Sequence, residues 1–311
     1  MKKTLALTLP LLAMFLFGGL LSNYGEVGQV IYDKSMAIES SVAGLEAKTA
    51  DIGEMNIAYY INDNPTKPTI VMLHGYSSNK NIWNRFAKYF TDDYQLVVPD
   101  LAGHGDTPFK EEWSYSMPAQ AKRVVALLDE LGIEQAHFIG NSMGGFLTAR
   151  LAIDYPDKTL SAVMVDAAGV MSPEPSDLYK MIEQGDNPFL INNRQDFDAF
   201  FAMTMHKRPF TPDIVLEALS NGYISRRHQL EKIFNDFSQS DYVQDQLDML
   251  IAPSMVWWGD KDRLLDISAV PIWKAGISNV QVHIFEDVGH MPMMEVPNES
   301  AQVYRAFLNS L

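Results

Sequence analysis

AHFIGNSMGGFLTAR, residues 136–150, is the stretch on which the fold turns. Its first six residues are short, mostly apolar and bounded by polar turn chemistry, and they read as a strand. From Gly144 onward GGFLTARLAIDYP reads as an apolar helix that ends at Pro156. Gly140, Ser142 and Gly144 form G-x-S-x-G at the junction. That spacing suits a sharp strand-to-helix turn, where only glycine at the flanking positions lets strand and helix approach closely. A serine there presents its hydroxyl above the sheet edge. Used merely as a helix cap, Ser142 needs neither the preceding strand nor both glycines.

Outward from this turn, strands and helices alternate. MNIAYYIN, TIVMLH, YQLVVPD, SAVMVDA, SMVWWGD and VQVHIFE join AHFIGN as predicted strands, rich in β-branched and aromatic residues. Helical stretches separate them, such as AQAKRVVALLDELGI with Val124, Leu127, Leu128 and Leu131 on one face. Near-continuous apolar strands between helices predict an α/β fold with a mostly parallel central sheet flanked by helices on both faces. The alternation stops over residues 171–246, where helical patterns and the turn signals SPEPSD, GDNP and RPFTPD occur without a strong strand. We read that stretch as an inserted helical cap, with residues 49–170 and 247–311 forming the two parts of one core.

Composition narrows the chemistry. The chain has 311 residues, no cysteine, and 24 Lys+Arg against 39 Asp+Glu, a net charge of −15. Thiolate metal sites, disulfides and a thiol nucleophile are excluded, and a charge of that sign repels nucleic acid. A serine nucleophile needs a base and an orienting acid, expected in the chain order Ser, acid, His. His290 follows the strand VQVHIFE in a loop at the same predicted edge. His283 lies within that strand, His74 precedes Gly75 in a turn, and His104, His206 and His228 fall in a loop or the cap. For the acid, WWGDKDRLLD offers Asp260, Asp262 and Asp266. Asp262 is the choice, with Asp260 shaping the turn and Asp266 capping the next helix. Asp166, at the end of SAVMVDA, is the rival. The oxyanion donors expected are the backbone N–H groups of Met143, next to the serine, and of Tyr76, in the loop LHGYSSNKNIW. No metal or organic cofactor is needed for acyl transfer of this kind.

HGYSSNKNIW, PDLAGHGDT, GNSMGG, WGDKDRLLD and GHMPMMEVP resemble, in order, the motifs of the α/β-hydrolase superfamily from about residue 50 to 311. The resemblance implies that Asp262, the second aspartate of the GDKD segment, is the acid. The pattern is most similar to membrane-anchored monoacylglycerol lipases and cold-adapted bacterial lipases and esterases, which implies a serine hydrolase acting on acylglycerols or related lipid esters. Carbon–carbon bond hydrolases share the elbow but usually differ where this chain has Tyr76 and Met291. Some members of the fold are receptors without turnover. In the cap, Phe189, Phe200 and Phe201, with Met291 beside the base, are the expected acyl-binding residues, although burial of the cap also accounts for such side chains.

The N-terminus reads as an address. Lys2 and Lys3 precede an uncharged run from Thr4 to Gly25 that is long for a cleaved signal and lacks a good cleavage site. Residues 1–25 are expected to be a signal anchor or, failing that, a signal peptide. The anchor places the remaining chain on the periplasmic side of a bacterial inner membrane, and cleavage would leave it periplasmic or secreted. Residues 26–48 are expected to form an amphipathic linker helix, packed on the catalytic domain rather than lying as a stalk near the membrane surface, since its acidic face suits an anionic membrane badly.

Overall fold

In the computed structural model, which describes residues 24–311, the strands pair into one eight-stranded sheet of order β1-β2-β4-β3-β5-β6-β7-β8. They are β1 (Glu46–Asp51), β2 (Asn56–Ile61), β3 (Thr69–Leu73), β4 (Gln95–Pro99), β5 (Ala136–Asn141), β6 (Thr159–Val165), β7 (Ser254–Gly259) and β8 (Val280–Phe285). β1, β2 and β4 pair antiparallel, and every pairing from β4 onward is parallel. Every residue of β3, β4 and β7 is buried, as strands covered on both faces require. The seven predicted strands all lie in this sheet.

The helices are α1 (Tyr24–Val42), α2 (Asn84–Ala87), α3 (Met117–Glu130), α4 (Met143–Asp154), α5 (Asp177–Glu183), α6 (Arg194–Thr204), α7 (Asp213–Ser225), α8 (Arg227–Ser238), α9 (Val270–Gly276), α10 (Pro292–Glu295) and α11 (Pro297–Leu308). Helices α5 to α8 lie between β6 and β7, and the segment 171–246 contains no strand. Two clusters cover the two faces of the sheet. One centres on Phe138, Leu147 and Trp258, the other on Phe86, Trp257 and Tyr304. A third, around Phe197, Phe200 and Met203, belongs to the cap.

The first helix differs from the expected span of 26–48. It stops at Val42, because Gly44 turns left-handed at φ +71° and Leu45 N–H closes back on the Ser40 carbonyl at 2.9 Å. This is the glycine-terminated end typical of helices. The chain then enters β1, an almost wholly exposed edge strand of sequence EAKTAD, which carries no apolar alternation to read. α1 packs on the domain: it crosses cap helix α7 so closely that a Cβ on Gly28 would lie 1.9 Å from the Ile214 carbonyl oxygen. Its other end is fixed to the core by a bidentate Arg85–Glu39 pair.

The anchor or signal expectation for residues 1–25 lies outside the described residues, except for Tyr24 and Gly25, which open α1. Among the described residues, no helix is long and apolar enough to cross a membrane.

Candidate active site

The carboxyl ends of β3, β5, β6, β7 and β8 share one edge, and each delivers a polar residue to it. β5 is followed at once by Ser142, which sits at φ +58°, ψ −118°, a conformation an L-residue adopts only when its surroundings impose it. The imposition is visible at both glycines. A Cβ on Gly140 would stand 2.0 Å from the Gly144 carbonyl oxygen, and one on Gly144 would stand 2.3 Å from the Leu73 oxygen. The G-x-S-x-G spacing is therefore a steric requirement of bringing α4 against β3 and β5.

His290 follows β8 and is buried, and its Nδ1 donates to Asp262 Oδ2 at 2.7 Å. The other Asp262 oxygen accepts the N–H groups of Leu264 and Leu265, at 2.8 and 3.2 Å. With Nδ1 engaged, Nε2 is the nitrogen left to exchange protons. Asn141 Nδ2 donates to the His290 carbonyl at 2.9 Å, which ties the histidine loop to the residue preceding Ser142. Asp166 lies beside the pair, with its Oδ1 accepting Gly259 N–H at 2.8 Å rather than a bond from His290. Asp260 pairs with Lys261, and Asp266 accepts from Ser268 N–H at the head of a short turn, the capping role anticipated for it.

The loop after β3 runs through His74, Gly75 and Tyr76. Leu101 N–H donates to His74 Nε2 at 2.9 Å, so Nδ1 carries the proton and donates to the Gly75 carbonyl. Burial lowers the pKa of His74, keeping it neutral in this structural role. Asp100, fully buried, accepts both the backbone N–H and the Nζ of Lys80, at 2.7 and 2.5 Å, and braces the far end of the loop. Tyr76 N–H donates to no other described residue. Met143 opens α4, where first-turn N–H groups have no partner within the helix.

The family signature described as the alpha/beta hydrolase fold matches residues 68–297. The chain belongs to the α/β-hydrolase fold family. It is 31% identical over 283 residues to Lipase 3 of Moraxella sp. (strain TA144), with 89% of each chain covered. It is 28% identical to a monoacylglycerol lipase of Xenopus laevis, covering 86% of this chain and 83% of that one. Among solved structures, a membrane phospholipase A described as a bacterial virulence factor superposes with a TM-score of 0.89 at 32% identity, over 100% of this chain and 99% of its own. The protein is a carboxylic ester hydrolase.

In this hydrolase Ser142 and His290 line a single cavity of about 1360 Å³ beneath the cap. Phe189, Phe200, Phe201 and Met291 all face it. Of the other apolar cap residues, Ile191 and Met203 are instead buried in the cap's own cluster. Three contributors carry no signal in the local pattern. Tyr32 and Met36 reach the cavity from α1, and Arg226 reaches it from the junction of α7 and α8. The Tyr76 ring packs edge-on against Phe189, with centroids 5.0 Å apart, and its hydroxyl bonds the cap. Asp166, Asp262 and His290 place polar atoms within 4.8 Å of one another, close enough for metal ligation, but the histidine nitrogen and the Asp262 oxygens are engaged with protein partners.

Proposed function

We propose that this hydrolase cleaves acylglycerols, monoacylglycerols foremost, through a serine acyl-enzyme built on Ser142, His290 and Asp262. The observation that carries the reading is the left-handed backbone of Ser142 at the glycine-flanked turn, opening into the same cavity as the Asp262-bound His290.

In this mechanism His290 Nε2 takes the Ser142 hydroxyl proton as Oγ attacks the ester carbonyl carbon, and Asp262 stabilises the resulting imidazolium. The N–H groups of Tyr76 and Met143 receive the oxyanion. Collapse expels the alcohol, which leaves with the proton from His290. Water then attacks the acyl carbonyl, gives a proton to His290, and the carboxylic acid departs as Ser142 is regenerated. Phe189, Phe200, Phe201 and Met291 hold the acyl chain, with hydrophobic burial as the source of affinity. The names of the lipase and monoacylglycerol lipase relatives support this substrate class. The uncharged run from Thr4 to Gly25 supports retention at a bacterial inner membrane, with the hydrolase on the periplasmic side.

Turnover of monoacyl, diacyl and triacyl glycerols over increasing chain length tests the assignment, with fluorophosphonate labelling mapped by mass spectrometry. Preference for monoacyl esters and a label on Ser142 are expected. Faster cleavage of a vinylogous diketone, or a label elsewhere, would overturn it.

A further inference from the structure

Behind the Asp262–His290 pair stands a second buried carboxyl group with no role in the steps above. Asp166 directly follows β6 at φ +43°, a left-handed conformation, with its backbone N–H donating to the Trp257 carbonyl at 2.9 Å. Its side chain is fully buried. Oδ1 accepts Gly259 N–H at 2.8 Å, whereas Oδ2 has no hydrogen-bond partner among the described residues. A buried, unpartnered carboxylate oxygen is costly, and the cost is relieved if that oxygen carries a proton and donates it.

The neighbours identify the acceptor. Asp166, Asp262 and His290 bring polar atoms within 4.8 Å of one another, and the Asp262 side chain is also fully buried. Among the described residues neither aspartate has a lysine or arginine within 4.0 Å. A third acid whose charge bears on Asp166, Glu295, is occupied by the N–H groups of Gly289 and Lys207. Two ionised aspartates here would leave a net buried negative charge even with His290 protonated. The division of donors decides which one keeps the charge. Asp262 receives the His290 Nδ1–H and two backbone N–H groups, whereas Asp166 receives one.

We propose that Asp166 is held as a neutral carboxylic acid that donates its O–H to the Asp262 carboxylate, making it a positioning residue behind the His290 pair. The inference rests on the reading of Asp262 as the partner that orients His290. Burial first, and then the field of Asp262, holds the Asp166 carboxyl well above the usual carboxylate range. The donated hydrogen bond does two things. It fixes the rotation of Asp262, and it withdraws electron density from that carboxylate, so that the proton taken from Ser142 stays on the imidazole.

The test pairs a spectroscopic readout with kinetics on the full chain. Infrared difference spectra of wild type minus Asp166→Asn, with carbon-13 aspartate, should show a protonated-carboxyl carbonyl band at neutral pH. Asp166→Asn keeps a neutral donor and should retain kcat/KM within about threefold. Asp166→Ala removes the donor. Its kcat should fall on the order of tenfold to a hundredfold, the worth of one hydrogen bond to a charged group, with KM little changed and the acid limb of the pH profile moved to higher pH. Absence of the band, or an asparagine variant as impaired as the alanine one, would overturn the proposal. The infrared band reads the Asp166 proton whether or not the enzyme turns over acylglycerols, so a failed substrate assignment and a failed Asp166 assignment remain distinguishable.

Discussion

The Tyr76 hydroxyl donates to the Leu230 carbonyl oxygen at 2.8 Å, so the loop whose backbone would hold the oxyanion is bonded through its side chain to cap helix α8. Tyr76→Phe keeps the backbone N–H and the ring packing but removes this one hydrogen bond, at a cost of about 0.5–1.5 kcal/mol, since the Leu230 carbonyl sits within α8 and keeps its helical partner. The expected result is a raised KM for long-chain esters with a smaller change in kcat. Amide exchange in α7 and α8 should accelerate.

Ser142→Ala should lower kcat on the order of 10⁶-fold, because members of such a triad act as a unit, while binding of a non-hydrolysable ether analogue is kept. Steady-state turnover and calorimetric titration measure the two separately.

Asp262→Asn should lower kcat on the order of 10⁴-fold, since an amide facing Nδ1 favours the wrong histidine tautomer. Thermal unfolding shows whether the fold survives, and nitrogen-15 chemical shifts of His290 show the tautomer.

How much of this was legible in the sequence depended on whether local pattern and tertiary role agreed. The turn at Ser142 was readable because steric need forces glycine at 140 and 144, and a forced residue leaves a motif. The strands of the parallel core were readable because burial on both faces demands apolar runs. β1 was not, because an exposed edge strand has no such demand and EAKTAD reads as polar linker. Tyr32 and Met36 belong to a helix whose apolar stripe was visible, but nothing local says that this helix crosses the cap and lines the cavity. In the sequence Asp166 is only a competing acid. That its free oxygen lacks a partner is a property of packing.

His137, on β5, places Nδ1 2.8 Å from Ser161 Oγ, and burial pushes its pKa down to about 4. The unfolded chain binds this proton from about pH 6.5 downward, the folded chain only near pH 4. Stability is thus fully present well above pH 6.5 and lost as the pH falls through 6.5 towards 4, a loss on the order of 3 kcal/mol. His137→Gln should flatten the acid side of the stability curve. Urea denaturation of both proteins across that pH range isolates the contribution from those of other groups.

Gly144→Ala inserts a methyl group against the Leu73 and His74 carbonyl oxygens, backbone atoms that no side-chain rotation can clear. Overpacking of this kind costs about 1–3 kcal/mol, and here α4 must also move away from β3. The variant should unfold at lower urea and lose most of its activity even at temperatures where it remains folded.

The contact of Gly28 with the Ile214 carbonyl bears on how substrate preference is exchanged between relatives. The cap is encoded in two separated pieces, because the helix Tyr24–Val42 lies across α7 and lends side chains to the cavity. Grafting residues 171–246 alone into a related scaffold would set a foreign helix beneath the new roof, with its own ridge where this chain has a notch. A chimera that keeps both fit and specificity must move the two segments as one inherited block.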